Sequence, residues 1–362
     1  MKIVFIEPSG AGGVAHYTFF LARALGRQGV DCEILTSKRW ALWDLPENAQ
    51  VRRIFRGRQT NPITVLWQCM KMRKSPDIVH WQSTTHPLLL RRLMYMIPKK
   101  GPRWVFTVHN VLPHETNSSS FALYREIYSQ MDGLIFHTRF SREEFDRIFP
   151  NFHAHHAIIP VGEYGFLGAA TNHMISTPHN RTVLFFGNIR PYKGLATLLH
   201  AFALVKKSLP DARLRIVGQA LEPFEPYAEL IHTLQLETNV DLRIEYVPDE
   251  EIPEIFASAA VAALPYTHID QSAVLLLALA LRKAVVASRI GGIAEVIRDG
   301  ETGLMAPPND PPALARAILD FLENPDYASK CGQAARDDVM QRFSWDAIAR
   351  QTIDFYMQLS SP

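Results

Sequence analysis

Lys2-Ile3-Val4-Phe5-Ile6-Glu7-Pro8-Ser9-Gly10-Ala11-Gly12-Gly13 is a short apolar run closed by a proline and three glycines. That is the pattern of a buried parallel strand ending in a tight turn. Residues 16–28 follow with apolar side chains at helical spacing (Tyr17, Phe20, Leu21, Ala24, Leu25), and Gly29 is a stop signal. Residues 32–36 are a second apolar run. Strand, glycine turn, helix and strand make a βαβ unit, which predicts a parallel sheet covered on both faces.

The same alternation continues along the chain. Strands are expected at residues 77–81, 104–109, 134–137 and 157–160, with helices between them. Residues 166–180 are small and polar, carry Gly168 and Pro178, and read as a linker. The alternation then restarts, with strands at 182–186, 214–217, 242–246, 261–264 and 284–287. Helices are expected at 194–207, 275–281, 311–324 and 345–359. The expected class is α/β, with two successive Rossmann-like, doubly wound domains at 1–165 and 181–345. Residues 346–362 form a carboxyl-terminal helix expected to pack back on the first domain.

Composition agrees with two full cores. The chain has 362 residues, of which 47% are hydrophobic, which argues against disorder, collagen or a coiled coil. Its net charge of +2 is too small for a bulk nucleic-acid binder. The three cysteines, Cys32, Cys69 and Cys331, are too few and scattered for a disulfide framework or a thiolate metal site, which fits a reducing compartment. No apolar run reaches the length of about 18 residues that a membrane span needs. The apolar opening is also shorter than the core of a signal peptide. The charge is uneven. Residues 1–165 hold 21 Lys and Arg against 13 Asp and Glu, while residues 166–362 hold 17 against 23. A basic half joined to an acidic half suggests two domains with different partners.

Four turns that follow strands could carry chemistry. Gly10-x-Gly12-x-x-Ala15 fits a dinucleotide-type turn, where glycines allow close backbone approach and a helix N-terminus attracts an anion. A plain strand-to-helix turn needs the same residues. A nicotinamide cofactor would want an acid where the second strand ends Ile34-Leu35-Thr36-Ser37, so a dehydrogenase is disfavoured. In Gly187-Asn188-Ile189-Arg190-Pro191-Tyr192-Lys193-Gly194, Arg190 could grip phosphate oxygens bidentately and Lys193 adds a point charge; a solvated basic turn is the plain alternative. Asp270, Gln271 and Ser272 stand at the N-terminus of an apolar helix, where free amides suit a phosphate or sugar oxygen. Capping by Asp270 or Ser272 explains one of these three polar residues. Arg289-Ile290-Gly291-Gly292-Ile293-Ala294-Glu295 reads equally as a ligand contact or a plain turn. His153, His155 and His156 have no nearby carboxylate or cysteine to complete a metal site, and Asp337-Asp338 sits in a helical stretch. No metal is expected.

GAGGVAHYT (10–18), TVHN (107–110), GNIRPYKGL (187–195), AAVAALPY (259–266) with IDQSAVLLLALA (269–280), VVASRIGGIAEVI (285–297) and RDGETGL (298–304) occur in this order over nearly the whole chain. They resemble the family-4 retaining glycosyltransferases of the GT-B fold, and within it the part with Asp-Gln-Ser in place of the first motif glutamate. The resemblance implies two Rossmann-like domains facing a central cleft. A nucleotide-diphosphate sugar would be held mainly by the carboxyl domain and an acceptor by the amino domain. It implies hexosyl transfer with retention, by front-face attack in which the leaving phosphate activates the acceptor hydroxyl. The acceptor would be a glycan or lipid-linked glycan in polysaccharide or glycoconjugate synthesis. No cofactor or metal is implied, because cations and helix N-termini neutralise the diphosphate.

Carried onto this sequence, the implied catalytic residues are His109, Arg190 and Lys193. The implied donor contacts are Gly12, Gly13, Arg190, Lys193, Asp270, Gln271, Ser272, Ala273 and Val274. The implied acceptor contacts are His16, Tyr17 and His114. The sequence departs from the family at Ile269 and Leu277, where the family often carries glutamates, with Asp270 adjacent to the first. Asn188 stands where an arginine is usual, and Arg282 and Ala284 where Gly and Pro are usual. The missing glutamates motivate one alternative, a non-catalytic sugar-nucleotide binding subunit. A nucleotide-sugar epimerase of the same fold is another.

The basic half has one further feature. Arg52, Arg53, Arg56 and Arg58, and Arg91, Arg92, Lys99, Lys100 and Arg103, flank segments containing Trp67 and Tyr95. Basic residues interleaved with aromatics suit an anionic membrane surface. The expected location is cytoplasmic, peripheral at the inner face of the cytoplasmic membrane. Nucleic acid is not expected as a partner.

Overall fold

The computed structural model describes residues 1–40, 45, 47–55, 76–82, 87–88, 91, 101–112, 118–165 and 180–360, the side chains of 118–120 excepted. The chain divides into two compact units: Met1–Gly162 with Phe343–Pro362, and Glu163–Arg342. The sequence reading set these boundaries slightly later, at 165 and 345. The chain stays with the first unit through Gly162, whose Cα lies so close to Trp345 that a Cβ there would be 2.3 Å from the indole.

The first unit holds seven strands: β1 (Lys2–Glu7), β2 (Asp31–Ser37), β3 (Ala49–Phe55), β4 (Ile78–Trp81), β5 (Arg103–Val108), β6 (Gly133–Phe136) and β7 (His155–Ile158). They pair in parallel in the order β3-β2-β1-β4-β5-β6-β7. Ile3, Val4, Phe5 and Ile6 of β1 are at most 1% exposed, as a strand covered on both faces requires. Helices α1 (Gly12–Arg27), α2 (Ser118–Ser129) and α3 (Arg139–Ile148) belong to this unit.

The second unit holds β8 (Thr182–Phe186), β9 (Arg213–Val217), β10 (Val240–Arg243), β11 (Val261–Leu264), β12 (Ala284–Ser288) and β13 (Leu304–Ala306) in the parallel order β10-β9-β8-β11-β12-β13. Its helices are α4 (Leu195–Ser208), α5 (Glu225–Thr233), α6 (Ile252–Ala257), α7 (Ala273–Ala280), α8 (Ile293–Val296), α9 (Pro311–Glu323) and α10 (Pro325–Arg342). A final helix, α11 (Trp345–Ser360), belongs to the first unit and lies on α1. There Trp345 stacks on Phe20 at 5.5 Å, and Arg27 pairs with Asp346 at 2.8 Å.

Several elements differ from the sequence reading, among them β7, which runs His155–Ile158 instead of 157–160. β3 (AQVRRIF) is an edge strand whose exposed arginines hide its apolar residues. β13 has only three residues, too few for a periodic signal. The strand expected at 242–246 is shifted to Val240–Arg243, because Val240 pairs with Leu214 and Arg243 turns to Glu245 and Glu251. In both sheets the strand order reverses beside the first strand, between β1 and β4 and between β8 and β11. Ligands of doubly wound sheets bind outside the carboxyl ends of the strands at that point.

Candidate functional site

At the carboxyl end of β1 the chain is pinned by a buried acid. Glu7 is 0% exposed. One carboxylate oxygen accepts from the Gly10 N–H at 2.7 Å and the Thr36 hydroxyl at 3.1 Å; the other accepts from the Ser9 N–H and hydroxyl. Ser37 donates to the Ser9 carbonyl at 2.9 Å, tying β2 to the same loop. Gly10 has φ +69°, and a Cβ there would lie 2.4 Å from the Ser37 hydroxyl, so only glycine fits. Beyond it Gly12 and Gly13 are exposed with open space beside them, and α1 starts with no side-chain cap. Its first amides are therefore available to an anion. The end of β2, which carries no acid for a ribose, is occupied by these loop contacts.

The next three strands of the reversal end in a chain of buried polar groups. His80 lies in β4, Gln82 just after it, His109 just after β5 and His137 just after β6. His80 meets the Thr107 hydroxyl at 2.7 Å and the Tyr356 hydroxyl of α11 at 2.5 Å. The Gln82 amide lies 3.3 Å from His109 Nε2, His109 Nδ1 lies 3.0 Å from His137 Nε2, and His137 Nδ1 lies 2.9 Å from the Ile159 carbonyl. Burial pushes His80 down to about 3 and His137 down to about 4, and it holds His109 well below its ordinary value, with His137 and His80 adding to the effect. His109 is therefore a neutral, half-buried imidazole at pH 7.

Tyr17 requires a correction. Expected to touch an acceptor, it is 1% exposed, and its ring packs edge-on against His109, His137 and Trp345. Helical spacing put it on the apolar face of α1, and that face is core. His16 is half-buried on the same helix. His114 lies outside the described residues.

In the second unit, the turn after β8 carries the cations. Pro191–Lys193 is a single 3-10 turn ending at Gly194, which has φ +70°; a Cβ there would sit 1.9 Å from the Pro265 carbonyl oxygen. This close approach brings the turn against the loop that follows β11. Lys193 is buried, donates to the Tyr266 hydroxyl at 2.9 Å and lies 4.6 Å from the centre of that ring. Among the described residues no carboxylate pairs with it. Two of its three N–H donors remain for another acceptor. Arg190 is half-buried, and its guanidinium makes no hydrogen bond or ion pair with any described residue.

The loop after β11 supplies the helix end. Ser272 caps α7 by accepting from the Leu275 N–H at 3.1 Å, which leaves Asp270 out of the cap. Asp270 is 11% exposed at its side chain and lies 3.8 Å from His268 Nε2. The Ala273 and Val274 amides are the first of α7 and have no intrahelical acceptor. A Cβ at Gly187 would lie 3.3 Å from the Val274 side chain and 3.5 Å from Lys193 Nζ, so the two loops converge there. Gln271 is half-buried beside Asp270. Leu277 is 4% exposed in the core face of α7, which explains an apolar residue there. Among the described residues, an ammonium without an acid, a guanidinium without a partner and open helix amides stand together at the strand reversal, a combination whose chemistry suits an anion.

Residues 11–162 match the domain family described as Glycosyltransferase Family 4, and residues 175–338 match Glycosyl transferases group 1. The chain carries both glycosyltransferase domains. It is 32% identical over 204 residues to the D-inositol 3-phosphate glycosyltransferase of Streptomyces coelicolor, covering 54% of this chain and 44% of that one. It is 34% identical over 189 residues to the alpha-maltose-1-phosphate synthase of Mycolicibacterium smegmatis, covering 49% and 48%. The chain thus spans about half the length of the curated relatives it matches. Among solved structures it shares its fold with sucrose-phosphate synthase of Thermosynechococcus elongatus (TM-score 0.79, 21% identity, 99% of each chain). It also shares it with Anabaena HepE, solved with UDP and glucose (TM-score 0.78, 19% identity, 99% of this chain and 100% of that one). The fold is GT-B.

The residues that sequence reasoning missed are Glu7, Gln82, His80, His137 and Tyr266. Each stands in or just after a strand at the carboxyl edge, and that placement was the available signal.

Proposed function

We propose that the protein transfers a hexose from a nucleotide-diphosphate sugar to a glycan or lipid-linked glycan, with retention of configuration. The observation that carries this reading is Lys193, a buried ammonium with no acid partner among the described residues, beside the N-terminus of α7. A diphosphate supplies the missing negative charge. Lys193, Arg190 and the Ala273 and Val274 amides stabilise it as it leaves. Asp270 and Gln271 face the donor sugar hydroxyls, Gly12 and Gly13 approach the diphosphate, and His109 positions a sugar hydroxyl. His16 and the His114 loop serve the acceptor. Cations and helix ends replace a metal, so no cofactor is required. The donor nucleoside is uridine in this reading, since HepE was solved with UDP-glucose as well as with UDP.

The same reading adds a weak peripheral contact with anionic membrane through the basic first unit. No described helix is long and apolar enough to cross a membrane. Nothing favours the epimerase or the non-catalytic subunit.

The test is a thermal-shift and turnover screen with UDP-glucose, UDP-N-acetylglucosamine, GDP-mannose and ADP-glucose. A stabilising sugar nucleotide that is slowly hydrolysed to nucleoside diphosphate supports a transferase. Binding without any turnover across an acceptor panel would overturn it in favour of a binding subunit.

A further inference from the structure

The polar chain along the first sheet determines where a proton sits. A carbonyl oxygen only accepts, so His137 Nδ1, 2.9 Å from the Ile159 carbonyl, must carry the hydrogen. The opposite tautomer would set a bare nitrogen against that oxygen. His137 is neutral, because burial disfavours its charged form, so its Nε2 is a bare acceptor. His109 Nδ1 is 3.0 Å from that acceptor and must donate to it. Since His109 is also neutral, its own Nε2 is bare. Gln82 Oε1 is placed 3.3 Å from His109 Nε2, with the Gln82 NH2 group towards the His80 ring; a bare Nε2 needs a donor, so the amide must be turned to present its NH2 group there.

The geometry points to His137 as a positioning residue: it locks His109 in the Nδ1–H tautomer and leaves Nε2 as a bare acceptor at the end of β5. Gln82 occupies that acceptor at rest. A sugar hydroxyl takes its place when substrate binds and donates its hydrogen to Nε2. This assignment deepens the proposed glycosyl transfer, on which its substrate class rests; the tautomer itself stands on the His137–Ile159 and His109–His137 hydrogen bonds and on the burial that keeps both rings neutral. It also makes His109 select a donor such as a hydroxyl and reject a phosphate or carboxylate oxygen at this atom.

The experiment reads the tautomer without any substrate. The full chain, labelled with 15N-histidine, is examined at pH 7.5 by long-range 1H–15N correlation, with the His109 ring assigned from its loss in His109→Gln. The expected wild-type pattern has a protonated Nδ1 and a pyridine-type Nε2. A proton on Nε2 in the wild type would overturn the inference whatever the protein's activity. In His137→Phe, which removes the acceptor, His109 should shift towards the Nε2–H form; a folded His137→Phe with unchanged tautomer would also overturn it. His137→Gln keeps an acceptor near Nε2 and should restore the wild-type pattern; failure to do so counts against the inference even if the Phe variant does not fold. Failure of the sugar-nucleotide screen would leave these spectra as they are, so the two readings fail separately.

Discussion

The two sheets share one strand order around their reversal, yet their carboxyl edges have opposite chemistry. In the first, the edge is neutral. His80, Gln82, His109 and His137 satisfy one another in a buried chain, and Glu7 spends its charge on the loop beside it. In the second, the edge is cationic and unsatisfied, with Lys193 and Arg190 lacking any described acid. Topology thus sets where a ligand goes, and the side chains set what each edge can hold. A polar chain that is complete suits neutral hydroxyls, which exchange one hydrogen bond for another. An unpaired ammonium suits an anion, because its burial cost is recovered only by opposite charge.

The strongest way to break this contrast is to remove the unpaired charge. Lys193→Met and Arg190→Ala should each cost about 2–4 kcal/mol of transition-state stabilisation, read as a loss in kcat/KM. The structural side of Lys193→Met should go the other way. It deletes a buried charge that has no acid partner among the described residues and keeps an apolar stem, so Tm should hold or rise. Turnover within threefold of wild type in both variants would remove the anion site. A large fall in Tm would make Lys193 a structural residue instead.

The neutral edge can be challenged with acid. His80 and His137 have folded values of about 3 and about 4, below the ordinary 6.5 of the unfolded chain. As pH falls through 6.5 the unfolded state takes up protons first, so the stabilisation present above 6.5 is lost towards the folded values. Each histidine then contributes a loss of about 1.4 kcal/mol per pH unit, or about 3 kcal/mol for the pair at pH 5.5. Urea unfolding at pH 7.5 and 5.5 measures it. Equal stability at the two values would mean that the histidines are not buried in neutral form.

The two edges were not equally legible in the sequence. The cationic one follows from local signals: Arg190, Lys193 and Gly194 are adjacent in one turn, and the Asp270 segment precedes an unmistakable apolar helix. The doubly wound fold was legible for the same reason, since its strands are short apolar runs bounded by glycines. The neutral edge was visible only at His109. Its partners come from three other strand ends and from Tyr356, and such a chain exists only once β4, β5 and β6 are neighbours. Tyr17 shows the reverse case. Its place near GAGG suggested a ligand contact, but helical periodicity had already put it in the core. Glu7 was read as the end of a strand, although an acid following four apolar residues needs donors, and the glycine loop supplies them.

A smaller effect separates capping from ligand binding in the second unit. Ser272→Ala removes the hydroxyl that accepts from Leu275 N–H and should cost about 1 kcal/mol of stability. Asp270→Asn, outside that cap, should leave unfolding nearly unchanged and alter the preference among sugar nucleotides. Calorimetry beside a donor panel distinguishes them. An Asp270→Asn variant that loses as much stability as Ser272→Ala would show that the carboxylate serves the helix rather than a sugar.

The weakest effect expected is at the membrane. Arg56, Arg58, Arg92, Lys99, Lys100, Trp67 and Tyr95 lie outside the described residues, so the contrast rests on the arginines that are described. Arg52 and Arg53 are consecutive on β3 and therefore point to opposite faces, which splits the single basic patch expected from the sequence. Arg52 also pairs with Glu33 at 2.7 Å, Arg91 with Glu126 at 3.6 Å and Arg103 with Asp132 at 3.2 Å. Exposed pairs of this kind are weak and can reopen, but each neutralises part of the field that an anionic bilayer would meet. A free arginine near such a surface contributes about 1 kcal/mol, so Arg53→Ala should cost no more than that and paired Arg103→Ala less. Attachment should fade as salt shortens the Debye length. Co-sedimentation with phosphatidylglycerol and phosphatidylcholine vesicles at low and high salt measures it. Recovery with the anionic vesicles alone, and only at low salt, is the expected result; equal recovery with both lipids would leave the basic half without a membrane role.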